Sequence, residues 1–374
     1  MKSPTQTARG FTLVELLVVI GIIAVLVGVL LPTLAKARQS AYTVACAANL
    51  RSIGQGIANY LVDSKGVFPP SNFYKGFSYE NGDQEPKEPT NGYVHWSSFL
   101  YSRKDLPGAN AGTDSDPYGP DTAFRSLTGW SMFRCPALAN GGLPPANTFP
   151  GNSDGLPNEI TGAAPQPGDI LDFQAPRLAY TINEMLCPRG IFEVPFDGRG
   201  NQRGYHFVKA SQVRNSDEII LASELWGTQS TAATNSLIDG STLVSNSRRP
   251  VNGISSLSKG VAPDKAYQLP YGNNYVAATI SNMNTDPEAQ LVPGATVQTN
   301  LDYIGRNHGT KKLGNVAGDP RTGWDLRQSN FLFVDGHVAT EHVSQTVYPI
   351  SQWGQEYNLP GDPTNYIHFL SLEQ

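Results

Sequence analysis

Charge is scarce in this chain of 374 residues: Asp, Glu, Lys and Arg make up only 16% of it, and acidic residues outnumber basic ones by 32 to 27. A net charge of −5 leaves no basic excess for backbone phosphates, so nucleic acid is not an expected partner. Cysteine is rarer still, at positions 46, 135 and 187, and no Cys-x-x-Cys pair occurs, which counts against a zinc site of the usual spacing. The signatures of common enzymes are missing too: there is no Gly-x-Ser-x-Gly elbow, phosphate-binding glycine loop or His-Glu-x-x-His. Six histidines (95, 206, 308, 337, 342 and 368) are scattered and read as packed or surface residues. The expectation is a protein that is not an enzyme and has no cofactor. No internal repeat is evident.

Glycine (37) and proline (28), with many Asn and Ser, are abundant and indicate long irregular connections on a strand-rich scaffold. The Ser, Thr and Asn of residues 228–260 mark the best candidate for a surface excursion. Long apolar runs are absent save one. It follows Gly10-Phe11-Thr12-Leu13-Val14-Glu15, extends unbroken from Leu16 to Leu31 and ends at Pro32. As a helix, residues 11–31 reach about 31 Å, the thickness of a hydrocarbon core. A glutamate near the centre of such a span costs roughly 2.5–3.5 kcal/mol, so Glu15 calls for a reason.

These residues resemble the start of a prepilin, as found in type IV pilins and type II secretion pseudopilins. The resemblance covers about residues 2–61. It implies that a prepilin peptidase cuts after Gly10, that Phe11 becomes an N-methylated amino terminus, and that Glu15 pairs with the terminal amine of a neighbouring subunit. Pro32 matches the proline that follows the span in that family. The resemblance also implies a cytoplasmic leader, a single pass through the bacterial inner membrane and an extracytoplasmic C-terminal part, in the periplasm or on a filament surface. Basic residues do not decide orientation, because Lys2 and Arg9 flank one end and Lys36 and Arg38 the other. The alternative is an ordinary secretory signal, with Ala35-Lys36-Ala37 imitating a cleavage site; the run is longer than the ~7–15 residues of such a signal. Loss of the leader would remove Lys2 and Arg9 and leave a mature charge of −7.

Beyond Pro32 the helical period continues. Leu34, Ala37, Ala41 and Ala45, then Leu50, Ile53, Ile57 and Tyr60, recur at three- and four-residue spacing and define one face. Asp63-Ser64-Lys65-Gly66 stops the pattern. One helix over residues 11–62 is therefore predicted, lipid-facing or bundled in its first half and packed on the head in its second. Gly54 and Gly56 weaken it by about 1 kcal/mol each relative to Ala and mark close packing against a sheet.

A second, narrower resemblance runs through Cys46 to Tyr60, Phe68-Pro69-Pro70, Phe133-Arg134-Cys135-Pro136, Tyr180-Thr181-Ile182-Asn183, Ser216 to Glu224, and Asn330 to Val338. It is to bacterial prepilin-like proteins whose processing-associated C-terminal domain carries a His, nine residues, then Asp-Gly. Here the chain departs from that pattern: the histidine position is Asp325, and His308 lies 17 residues earlier. Either an insertion separates His308 from Asp335-Gly336, or the histidine is dispensable.

Asp335-Gly336 also reads as turn chemistry, joining strand-like runs 331–334 and 337–343 in a two-residue hairpin. The rival is a metal site built from Asp335, His337 or His342, which lacks a third ligand in register. Calcium is weakly supported, since no twelve-residue loop pattern occurs. In the outward part implied by the prepilin resemblance, where oxidation is permitted, a Cys135–Cys187 bridge is the expected pairing; Cys46 is only 15 residues beyond Leu31. Three unpaired cysteines are the alternative.

The predicted fold class is α+β: a leader (1–10), a transmembrane and assembly helix (11–31), its amphipathic continuation (32–62), and a head (63–374) in which an antiparallel sheet packs on the helix and carries loop-rich insertions. The predicted function is a pilin-like structural subunit that assembles with other such subunits. The alternative is a membrane-tethered binding module for a glycan or a secreted protein, with Trp96, Trp130, Trp226 and Trp353 as candidate contacts and core packing as their other reading.

Overall fold

The computed structural model describes residues 13–74, 93–101, 131–138, 141–142, 175, 177–188, 208–225, 250–251, 253–257, 267–268, 274–277, 283, 300–309, 324–347, 350–354, 356–358 and 366–368. The first element is a helix of 51 residues, α1 (Leu13–Asp63), about 77 Å long. It runs through Pro32, which has no N–H for the Gly28 carbonyl. Thr33 bonds back to the preceding turn, its Oγ1 donating to the Leu30 carbonyl at 2.8 Å. The chain leaves α1 through Lys65 and Gly66, both at positive φ, and the Gly66 N–H closes on the Leu61 carbonyl at 2.7 Å.

Strands β1 (Asn72–Tyr74) and β2 (Tyr93–His95) form a short antiparallel ladder that leads into α2 (Trp96–Tyr101). Next come β3 (Tyr180–Asn183), β4 (Ile220–Glu224) and β5 (Pro250–Val251). A three-stranded sheet in the order β6-β8-β7 follows, from β6 (Ile254–Leu257), β7 (Tyr267–Gln268) and β8 (Asn274–Ala277). Then come β9 (Ser329–Phe333) and β10 (Val338–Glu341), and finally the pair β11 (Glu356–Asn358) and β12 (Tyr366–His368).

The central sheet has the order β10-β9-β4-β3-β5. Four of its strands are antiparallel neighbours, but β5 runs parallel to β3, with Ile182 opposite Pro250, so the sheet is mixed. Pro250 and Val251 are buried there, which corrects the reading of 228–260 as one surface excursion; residues 228–249 lie outside the described ones. Proline is tolerated because β5 is an edge, where a missing donor breaks no inner ladder.

Each face of this sheet carries its own core. Cys46, Leu50, Ile53 and Ile57 of α1 meet Leu221, Ala222 and Leu332 on one side. Ile220, Phe331 and Phe333 meet Trp324, Val343 and Trp353 on the other, with Phe331 and Trp353 edge to face. Coverage of both faces explains why β4 and β9 are buried along their whole length instead of alternating. A bulge at Leu221 shifts the β4–β9 register: Ile220 faces Phe333 while Ala222 faces Leu332, which turns both Leu221 and Ala222 toward the helix.

Close approach of helix and sheet depends on Gly54. A Cβ there would meet Leu332 Cδ1 at 3.0 Å, tighter than ordinary contact. The fold is thus α+β, with one long helix packed on a mixed sheet.

Candidate functional site: an exposed apolar helix and a buried cluster beneath it

The two halves of α1 differ in what covers them. Leu16, Leu17, Ile20, Ile23, Leu26 and Leu30 each expose more than half of their surface, and none of the described head residues covers the apolar stretch. It is the one helix among the described residues long and apolar enough to cross a membrane. Burial begins only at Cys46 and continues at Leu50, Ile53, Gly56 and Ile57. The predicted apolar face therefore holds from Leu50 onward, but Leu34, Ala37, Ala41 and Ala45 are exposed. Those four match the period without meeting the sheet, because the described part of the head reaches only as far up the helix as residues 42–46.

Glu15 lies in the first turn of α1 on the exposed surface, and Pro32 lies inside the helix. Gly10 and Phe11 lie outside the described residues. Trp96 and Trp353 are fully buried, as is Trp324, so these three indoles are core; Trp130 and Trp226 lie outside the described residues.

The cysteine pairing differs from the expectation. Cys46 bonds to Cys135, with Cα atoms 5.3 Å apart, while Cys187 is a buried free thiol that burial pushes well above its ordinary pKa. Fifteen residues of helix carry Cys46 about 22 Å beyond Leu31, into the head, so its nearness in sequence to the apolar run does not keep it from pairing. Asn49, one turn further along α1, donates to the Arg134 carbonyl at 2.7 Å and holds the Cys135 loop against the helix.

Beside this disulfide lies a buried polar cluster from four separate parts of the chain. Glu224 ends β4; its Oε1 accepts from His308 Nε2 at 2.8 Å and from Asn330 Nδ2 at 2.7 Å. Asn330 of β9 also donates to the Thr43 carbonyl at 3.2 Å, and its Oδ1 accepts from the Thr340 hydroxyl at 2.6 Å. Asn307 Nδ2 lies 3.4 Å from Glu224 Oε2 and donates to the Leu225 carbonyl at 3.1 Å. His308 is fixed by two backbone bonds with Gln328. Burial, and after it the charge of Glu224, push the Tyr180 hydroxyl well above its ordinary pKa. The sulfurs of Cys46 and Cys135, a Glu224 oxygen and a His308 ring nitrogen all lie within 4.8 Å of one another. No spacing rule exposes such a set, since its members are separated by up to hundreds of residues; their one local sign is that Glu224 and Asn330 are polar residues bordering apolar strands.

The Asp-Gly hairpin stands elsewhere. Its loop has three residues, Val334 to Gly336, not two: the Gly336 N–H bonds the Phe333 carbonyl and Phe333 N–H bonds the His337 carbonyl. Only Gly336 has positive φ (+95°), which is where the glycine is required. Asp335 Oδ1 accepts from the His337 N–H at 3.0 Å and pairs with its Nδ1 at 2.7 Å, and the His337 ring stacks on Phe333 at 4.2 Å. Desolvation raises Asp335, but the hydrogen bonds from His337 and its charge together outweigh it and hold the carboxyl below the usual carboxylate range. His342 is occupied elsewhere, with Nδ1 on Ser344 Oγ at 2.6 Å and Nε2 on the Asp325 carbonyl at 2.7 Å. The structure therefore does not gather Asp335, His337 and His342 into one site. Asp325, at the expected histidine position, pairs with Arg327 at 2.6 Å, and His308 belongs to the cluster under α1.

An exposed helix apolar and long enough to cross a membrane, joined to an α+β head, is the arrangement of a membrane-anchored protein. Residues 6–31 match the family model of the prokaryotic N-terminal methylation motif, which supports a prepilin-type start to the chain. No curated protein and no solved structure matches the chain significantly.

Proposed function

We propose that the protein is a structural, non-enzymatic subunit of a filament related to the type II secretion pseudopilus or the type IV pilus. A prepilin peptidase removes residues 1–10 and Phe11 becomes the N-methylated terminus. The mature subunit sits in the inner membrane as a single pass, with its head on the extracytoplasmic side, until the helix enters a bundle of pilin-like partners. One observation carries this reading: the methylation motif opens a helix whose apolar half is exposed, with no partner among the described residues of its own head. In a bundle that surface is covered by sister helices, and Glu15 neutralises a neighbour's amine where an unpaired charge is costly. The burial of Trp96, Trp324 and Trp353 weighs against the glycan-binding alternative.

The intact mass of the native protein tests the first step. A mature chain starting at N-methyl-Phe11 is expected, and Gly10→Ala should leave the leader in place; a start at Arg38 would indicate an ordinary signal sequence instead. Glu15→Leu should insert in the membrane at least as well as the native chain, yet be lost from filaments purified with their other subunits. Normal incorporation of that variant would sink the pairing.

A further inference from the structure

We propose that Cys46, Cys135, Glu224 and His308 form a binding site for one divalent ion of the zinc class, open when the Cys46–Cys135 bond is reduced and closed when it is formed. Two thiolates, an imidazole and a carboxylate are the donor set that tetrahedral zinc prefers, with bonds of about 2.0–2.3 Å. Such bonds place ligand atoms about 3.3–3.8 Å apart, and the four atoms here already lie within 4.8 Å of one another. Release of the S–S bond lets the sulfurs separate toward the tetrahedral edge, and His308 Nε2 and Glu224 Oε1, now 2.8 Å apart, open toward the same edge as the ion enters between them.

The surroundings are built to hold such a site. All four side chains are buried, Cys46, Cys135 and Glu224 completely and His308 to within 3%. Glu224 is oriented by Asn330, itself fixed by Thr340 and the Thr43 carbonyl, and the His308 backbone is clamped to Gln328. Outer partners of this kind orient metal ligands and raise affinity, which gives Asn330 a role a plain disulfide does not need. A buried carboxylate and imidazole beside a neutral disulfide are otherwise costly to desolvate.

The chemistry balances. A dithiol supplies two electrons and two protons and leaves as its own disulfide, or a phosphine supplies two electrons while a water molecule gives the two protons and its oxygen, leaving as phosphine oxide; either way the disulfide becomes two thiols. Metal entry then releases the two thiol protons, and the proton that His308 Nε2 offers Glu224 moves to Nδ1, freeing Nε2 as the ligand. Either form ties α1 to the head, so the ion would keep the tie in chains whose disulfide is reduced. This inference does not depend on filament assembly.

The test uses the full chain in detergent, reduced anaerobically with a phosphine, loaded with zinc or cobalt(II) and passed through a desalting column. Zinc by mass spectrometry should approach one ion per reduced chain and be near background in the oxidised chain. Cobalt should give thiolate charge-transfer absorption in the near ultraviolet and the strong visible bands of a tetrahedral site. His308→Gln and Glu224→Gln should abolish tight binding, and Asn330→Ala should weaken it by about 10–100-fold. Reduced chain that retains no more zinc than oxidised chain overturns the proposal. So does undiminished binding in both His308→Gln and Glu224→Gln, which would leave the thiols acting alone. Should those variants fail to fold, the native cobalt spectrum decides: octahedral bands or no charge-transfer absorption also overturn it.

Discussion

The upper and lower halves of α1 have similar helical chemistry and opposite surroundings. Leu17, Ile20 and Leu26 are exposed, whereas Leu50, Ile53 and Ile57 are sealed against the sheet. The lower half has Gly54 where Leu332 approaches and Cys46 where the loop at Cys135 is stapled. The upper half has neither, and its residues are apolar all round, as suits a surface that any apolar neighbour can cover. Head stability should therefore depend on the lower half alone, and assembly on the upper.

The largest expected effect comes from the staple. Cys135→Ala in the oxidised protein opens a loop with a sequence separation of 89, which in the chain-entropy account costs about 4–5 kcal/mol, read as a lower melting temperature of the detergent-solubilised chain. Leu50→Ala should follow at about 3 kcal/mol, because it leaves a cavity between helix and sheet. Leu17→Ala on the same melt should do nothing to the head; an equal loss in both variants would break the distinction between the halves.

Gly336→Val ranks next. Forcing a β-branched residue to φ +95° should cost about 2 kcal/mol in a denaturant titration. The Asp325–Arg327 pair then gives an acid limb. Desolvation opposes ionisation of Asp325, but the hydrogen bonds and charge of Arg327, with Arg306 behind them, hold its carboxyl below the ordinary value. A folded pKa below the unfolded one stabilises the head above about pH 4 and is lost as pH falls through the folded value. Asp325→Asn should thus flatten the acid side of the pH–stability curve and cost about 1–2 kcal/mol at neutral pH, discounted because Arg327 is partly exposed. The smallest effect is expected at Asp335→Asn, within about 0.5 kcal/mol, because Asn can still accept from the His337 N–H. A larger loss that chelator reproduces in the native chain would return the turn to the metal-site reading.

What the sequence made legible follows from period and from local turn chemistry. Leu50, Ile53 and Ile57 are spaced as a buried helical face, Gly66 marks the stop, and Gly336 takes the turn position with positive φ. Period alone does not say where a partner surface begins, so Leu34 to Ala45 matched the face and stayed uncovered. Pairings across sequence were hidden for a different reason. Glu224 meets Asn330 because β4 and β9 lie side by side, His308 joins them through its backbone bonds to Gln328, and Cys46 meets Cys135 because residues 133–135 lie between α1 and Ala179, adjacencies no local signal carries. The same holds for Pro250 and Val251, whose place in the sheet is decided by the parallel neighbour β3.

Tension drawn along α1 from its apolar end would reach the head at Cys46, before Leu50, Ile53 or Ile57 takes any of it. A covalent link at that point passes the load directly to Cys135, bypassing the chain between, and on through the Phe133 carbonyl to Ala179 at the foot of β3. Without the link, the apolar contacts would yield one by one, as in peeling. With it the load bypasses those contacts, and the helix can be pulled without first stripping its buried face from the sheet.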